Sequence, residues 1–188
     1  MRLRKTSSKV CRNNKNFISV IHVRHISKLN GENRTYLQVG ATFLKCQIGR
    51  EGLTSFKREG DLKTPKGSHR IIGCYFRKDR VRRIRCNFSM TPTRTQYIWC
   101  DDEHSFSYNT FRFHSTKLRH ERLWREDHQY NFCLILDYNF SPKIRGRGSA
   151  IFFHVQGAER YTAGCIAVDK AVLEKIMPRL AAQCIVMI

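Results

Sequence analysis

The sequence predicts a mainly β fold with a short C-terminal helix and an irregular central insertion. Three observations predict it. Apolar, β-branched and aromatic runs of strand length recur along the chain, as in Phe17 to Val23 and Phe132 to Tyr138. The period changes to helical only after Asp169, where Val172, Leu173, Ile176, Met177 and Leu180 share one face. Between Arg77 and Arg125 the chain is polar and aromatic with scattered turn residues, which fits short strands in a surface insertion.

Residues 1–16 are basic and polar and read as a disordered tail; residues 17–188 read as one domain, long enough to bury a core. Phe17 to Val23 is the first strand candidate. Tyr36 to Ile48 holds one or two more, broken near Gly40. Gly49 to Gly67 is a loop, and Ser68 to Phe76 returns to a β pattern around Ile71 and Ile72. Phe132 to Tyr138 is a continuous apolar strand, Gly146-Arg147-Gly148 a turn, and Ala150 to Val155 a second buried strand. Asp169 is the expected N-cap of a helix reaching about Leu180, with Pro178 shortening or kinking its end. Cys184 to Ile188 fits a last strand.

The net charge is +20, from 35 Lys and Arg against 15 Asp and Glu. Such a chain is drawn to polyanions, but charge alone does not choose among nucleic acid, an anionic wall and a membrane surface. Arg77 to Arg85 and Arg119 to Arg125, interleaved with Tyr75, Phe76 and Trp124, keep a nucleic-acid-binding reading open. No helix-turn-helix, zinc or RNA-recognition signature accompanies them. No stretch has the length of a transmembrane helix, and no export signal is recognisable. The eight cysteines form no C-x-x-C pair, which argues against zinc and thioredoxin-like sites. Several, such as Cys133, sit in apolar runs and read as buried, inert thiols. Asp101, Asp102 and Glu103 with His104 form the one compact acidic run, and no further metal ligand is placed beside them.

The chemistry concentrates between residues 149 and 168. His154 ends an apolar strand; a polar loop containing Gly157 follows; Cys165 stands after Gly164 and before a short apolar run. A thiolate is the nucleophilic form of cysteine, and a neighbouring imidazole either lowers its pKa or takes its proton. A loop joining two adjacent strands returns the chain so that His154 and Cys165 meet. The N–H groups of Gly164 and Cys165 are candidates for an oxyanion hole, and the Thr162 hydroxyl lies nearby. Otherwise a Cys and a His in apolar runs are core residues.

These residues resemble a known family. His154 followed by Thr162-Ala163-Gly164-Cys165-Ile166-Ala167-Val168 is similar to the signature of L,D-transpeptidase (YkuD-type) catalytic domains. Gly49, Lys57-Arg58-Glu59-Gly60-Asp61 and Lys63-Thr64-Pro65-Lys66-Gly67 resemble the family's Gly-Asp-x-x-Thr-Pro-x-Gly loop. Trp99-Cys100-Asp101-Asp102, Tyr108-Asn109, Glu121 to Asp127, Tyr138-Asn139 and Gly146 to Phe152 resemble a proteobacterial branch. The likeness runs in order over residues 37–180. It implies an L,D-transpeptidase-like β-sandwich or barrel. It implies Cys165 as nucleophile, His154 as general base, and Gly164 with Thr162 as oxyanion and support residues. Where many relatives carry a second histidine, this chain has Ala163. A backbone carbonyl can orient His154 as a carboxylate would.

The implied reaction joins Cys165 to a peptidoglycan tetrapeptide stem as a thioester, which an amine of another stem or of an anchored envelope protein resolves. Resolution by water would make the enzyme an L,D-carboxypeptidase. No metal or organic cofactor is implied, and the expected location is the periplasm or cell envelope. Arg125 is a candidate for binding substrate carboxylates, or for pairing with Asp127 or Glu121. Tyr108 and Asn109 are candidates for lining the cleft, or for building a turn. Asp61 and Thr64-Pro65 are expected to set loop geometry. A wall-binding protein without catalysis is the weaker reading, since both Cys165 and His154 are present.

Overall fold

A computed structural model describes residues 17–26, 34–113 and 117–188. The basic tail expected over residues 1–16, with Cys11, lies outside them. Fourteen strands are present among the described residues: β1 (Ile18–Ile26), β2 (Arg34–Val39), β3 (Thr42–Gln47), β4 (Leu53–Thr54), β5 (Thr64–Pro65), β6 (Ser68–Phe76), β7 (Met90–Pro92), β8 (Tyr97–Cys100), β9 (Thr110–Phe113), β10 (His120–Arg122), β11 (Phe132–Leu136), β12 (Phe152–Val155), β13 (Ile166–Val168) and β14 (Leu180–Met187). One α-helix, α1 (Lys170–Ile176), lies between β13 and β14.

The main sheet runs β11-β12-β13-β3-β2-β1-β14-β6-β7 and closes into a barrel because β11 also pairs with β6. Closure removes exposed strand edges. The fold is therefore mainly β with one short C-terminal helix, as the sequence predicts. No helix among the described residues is long and apolar enough to cross a membrane.

Alternation sorts side chains between two apolar clusters. Leu134, Phe153, Val155, Ile166 and Val168 join the main core with Ile21, Leu37, Ile71 and Val186, which Leu173 and Ile176 of α1 also enter. Cys133, Ile135 and Phe152 point the other way, against Trp99, Leu123, Tyr130 and Ala150. All five residues of β11 are buried, which is why its sequence reads as an unbroken apolar run. Each fully buried Phe or Leu here contributes on the order of 2 kcal/mol.

The central segment carries the short strands expected of it. β7 extends the barrel sheet beside β6, while β8, β9 and β10 form their own antiparallel sheet. That sheet lies against the barrel's outer face, with Trp99 edge-on to Phe152 at 5.3 Å. It is thus one wall of the surface on which His154 and Cys165 sit.

The element ends have local causes. Gly40, at φ +58°, makes the β2–β3 turn. Asp169 caps α1 by accepting the Ala171 N–H at 2.7 Å, worth about 1 kcal/mol. The helix stops at Ile176 rather than near Leu180, because Met177–Arg179 tightens into a 3-10 turn around Pro178. β11 ends at Leu136, and Asp137 instead accepts the backbone N–H and side-chain Nε of Arg70. β12 starts at Phe152 rather than Ala150, because Ala150 is left-handed at φ +50°.

Candidate active site

β12 and β13 are parallel, with Phe153 opposite Ile166 and His154 opposite Ala167. Cys165 immediately precedes β13, so it lies beside Phe152, on the outward face that Phe152 and His154 share. The loop between the strands returns the chain and sets Cys165 level with Phe152, two positions before His154 on the same face.

The thiol has defined neighbours. Cys165 Sγ accepts the Phe152 N–H at 3.3 Å and donates to the Ala150 carbonyl at 3.2 Å. The left-handed turn at Ala150 aims that carbonyl, at a cost of about 1–2 kcal/mol. Asn109 holds the turn in place: its Oδ1 accepts the Ala150 N–H at 3.2 Å and the Trp99 indole N–H at 2.8 Å. Cys165 is partly exposed as a residue, whereas Cys74, Cys100, Cys133 and Cys184 are buried.

His154 is 3% exposed. Its Nδ1 lies 2.8 Å from the Val155 carbonyl. A carbonyl only accepts, so Nδ1 carries the proton and Nε2 the lone pair. The orienting group is therefore a backbone carbonyl. Tyr130 packs edge-on to the imidazole at 5.1 Å.

Burial dominates the electrostatics. It is the main cause that lowers the His154 pKa to about 4; the Val155 carbonyl opposes the fall and nearby Arg125 adds to it. Burial also pushes the Cys165 thiol up to about 12, with the Glu121 carboxylate adding to the rise; the Phe152 N–H, Lys57 and Arg125 oppose it. The resting site is thus a neutral thiol beside a neutral imidazole. Of the two ways an imidazole activates a cysteine, this environment favours taking the proton during attack over a standing ion pair.

The loop of residues 49–67 supports the nucleophile from the other side. Thr64 Oγ1 accepts the Gly49 N–H and donates to the Gly164 carbonyl, both at 2.8 Å. Thr162 Oγ1 accepts the Gly164 N–H at 3.1 Å and donates to the Cys165 carbonyl at 2.6 Å. Gly164 adopts φ +151°, and a Cβ there would lie 2.9 Å from the Lys63 carbonyl oxygen. Lys57 is buried and ion-paired with Asp61, its stem near Gly148 and Gly164. Thr64 and Asp61 do set loop geometry, and Thr64 also ties that loop to the nucleophile segment.

Thr64→Val is expected to leave the Gly49 N–H and Gly164 carbonyl unsatisfied. It should destabilise the fold by about 1–3 kcal/mol, read by thermal melting, and slow modification of Cys165 by an acyl donor. Unchanged melting and unchanged acylation would contradict this role.

The remaining candidates are placed as follows. Tyr108 is 2% exposed and donates to Glu59 Oε2 at 2.5 Å, an oxygen that Ser149 also reaches at 2.8 Å. Asn109, at φ +52°, also donates to the carbonyls of Tyr138 and Asn139, so its polar atoms are committed within the chain. Arg125 forks onto Asp127 and reaches Glu121 at 3.1 Å. Trp99 is a packing residue, and Trp124 stacks under the Arg77 guanidinium at 3.5 Å. Arg77 is also paired with Asp79, Arg80 with Glu126 and Arg119 with Asp101. These arginines of the basic clusters thus make internal contacts. Among the described residues, no group of three or more His, Cys, Asp or Glu is arranged to hold a metal ion.

Lys57, Glu121 and Ala150 lie inside the stretches quoted from the sequence without a catalytic role there, and Tyr130 was not singled out.

The model of the L,D-transpeptidase catalytic domain family (YkuD) matches residues 24–188. Neither a curated protein nor a solved structure matches the chain.

Proposed function

Because the chain belongs to the L,D-transpeptidase catalytic domain family, we propose that it joins Cys165 to a peptidoglycan tetrapeptide stem as a thioester and passes that acyl group to an amine. The observation that carries this reading is the shared outer face of β12 and the start of β13. It puts Cys165, partly exposed as a residue, on the same face as an imidazole whose tautomer leaves Nε2 basic.

In this reading Sγ turns from the Ala150 carbonyl toward the imidazole and attacks the stem carbonyl carbon while Nε2 takes its proton. The Cys165 N–H, and the Gly164 N–H once Thr162 releases it, donate to the oxyanion. The imidazolium then protonates the departing amine of the terminal D-alanine. An amine from a second stem or an anchored envelope protein resolves the thioester; water in its place would give a carboxypeptidase. The substrate locates the work in the periplasm or envelope. The internal pairing of Arg77, Arg80, Arg119 and Arg125 disfavours the nucleic-acid reading.

The test is incubation with a disaccharide-tetrapeptide, following D-alanine release and products by mass spectrometry. Release with cross-linked dimer supports the transferase, and release with tripeptide alone supports the hydrolase. No release by wild-type protein with reduced thiols would remove the reading.

A further inference from the structure

We propose that Glu121 is the acceptor-side base, whose free carboxylate oxygen takes the proton of the ammonium group that resolves the Cys165 thioester. The inference rests on the thioester chemistry proposed above and adds what selects an amine as acceptor.

The fold brings Glu121 to the site through two contacts. On β10 it pairs with Trp99 of β8, whose ring meets Phe152, and the Phe152 N–H donates to the Cys165 sulfur. Tyr130 packs edge-on to both Phe152, at 5.8 Å, and His154, at 5.1 Å, and its hydroxyl donates to Glu121 Oε1 at 2.8 Å. Arg125 Nη1 reaches the same oxygen at 3.1 Å. Oε2 accepts nothing from a described residue and is not sealed from solvent; the side chain is 28% exposed.

Two other ion-paired carboxylates engage both oxygens. Asp127 does so with Arg125 and Gln129, and Asp79 with Arg77. Glu121 is fixed on one side and open on the other, as a group kept for a mobile cation would be. The need for one is clear in a chain of net charge +20, which repels an ammonium ion except where a local carboxylate attracts it.

The groups facing Glu121 are Arg125 from its own segment, with Asp127 behind it; Tyr130 from the turn before β11; Asp101 just after β8; and Cys133 and Cys165 on the barrel. Burial raises the Glu121 pKa and Asp101 adds to the rise, while the Tyr130 hydrogen bond and Arg125 oppose it. A raised carboxyl is a stronger base than an ordinary one. The Glu121 charge also raises both thiols, Cys165 and Cys133, so its field reaches the reacting sulfur.

The step balances. The acceptor ammonium gives one proton to Glu121, and the free amine attacks the thioester carbonyl. A second proton passes from the attacking nitrogen to His154 Nε2 and then to sulfur as the C–S bond breaks. The products are an amide, the Cys165 thiol and a protonated Glu121, which returns its proton to water. Thioester formation consumes no ammonium, so it does not need Glu121.

The experiment compares wild type with Glu121→Gln on a tetrapeptide donor and a lysine side-chain acceptor. The D-alanine burst reads acylation, and steady-state amide formation reads transfer. The burst should not slow, because removing the charge lowers the Cys165 pKa, while transfer at pH 7 falls on the order of 10²-fold. Transfer by the variant should then rise about tenfold per pH unit toward the acceptor's pKa, while wild type levels off earlier.

Equal loss of burst and transfer would overturn the proposal by making Glu121 a support for His154, and no loss of either would overturn it outright. A wild type with no burst would instead remove the thioester reading. Should Glu121→Gln fail to fold, wild type serves with two acceptors, the lysine amine and hydroxylamine, which is uncharged at pH 7. Saturation and salt sensitivity confined to the cationic amine support the role. A difference explained by free-base fraction alone overturns it.

Discussion

Replacing His154 with Gln is expected to slow thioester formation by about 10²- to 10⁴-fold while leaving the fold intact. The imidazole supplies a base with its lone pair on Nε2, because Nδ1–H is held by the Val155 carbonyl. An amide side chain fills similar space without a basic nitrogen. Stopped-flow acylation by a carbapenem, a strained acyl donor, reads the effect, and a loss under tenfold would contradict the assigned role. The pH dependence has a definite sign. In the native state the imidazole stays neutral down to about 4, whereas the unfolded one protonates near 6.5. Between those values the unfolded state binds more protons. The His154 contribution to stability is therefore present above pH 6.5 and lost as pH falls toward 4, by on the order of 3 kcal/mol. Urea unfolding across this window should show the loss in wild type and a smaller one in His154→Gln.

Gly49→Ala is expected to cost the most stability of any single methyl addition at a described glycine. A Cβ there would lie 2.3 Å from the Leu62 carbonyl oxygen and 2.9 Å from two Lys63 backbone atoms. These are backbone atoms, so no side chain can swing aside. The loop must move, and with it the Thr64 hydroxyl that links the Gly49 N–H to the Gly164 carbonyl. A loss of about 3 kcal/mol follows from overpacking, which lowers Tm by about 6–12 °C in a chain of this size. Acylation of Cys165 should slow as well, since Gly164 loses its anchor. A Gly52→Ala control meets nothing within 4 Å but is strained by φ +79°, so it should cost less, about 1 kcal/mol. Equal melting of the two variants would contradict the steric account.

The barrel strands were legible because their information is local. Ser68 to Phe76 alternates buried and exposed residues for most of its length, and Gly40 marks the turn between β2 and β3. The placement of Cys165 and His154 on one face was legible because the parallel pairing of β12 and β13 needs only the loop that separates them. Other features depend on distant partners. β14 begins at Leu180, ahead of the apolar run from Cys184, because Leu180 pairs with Ile18 across the barrel. The central segment reads as polar and irregular because its apolar residues are few, yet Trp99 and Leu123 are enough to seat it on Phe152. Glu121 is placed by that seating, and Tyr130 by the turn before β11. Asn109 looked like a turn residue and is one, at φ +52°, but its side chain also braces the Ala150 turn that faces the thiol.

The central claim is that Cys165 is the acylated residue, and intact-protein mass spectrometry after incubation with a carbapenem tests it most directly. One covalent adduct is expected on wild type and none on Cys165→Ala, although seven other cysteines remain in the sequence. An adduct that persists in Cys165→Ala, or that maps to Cys46 or Cys86 (the other partly exposed thiols among the described residues), would contradict it.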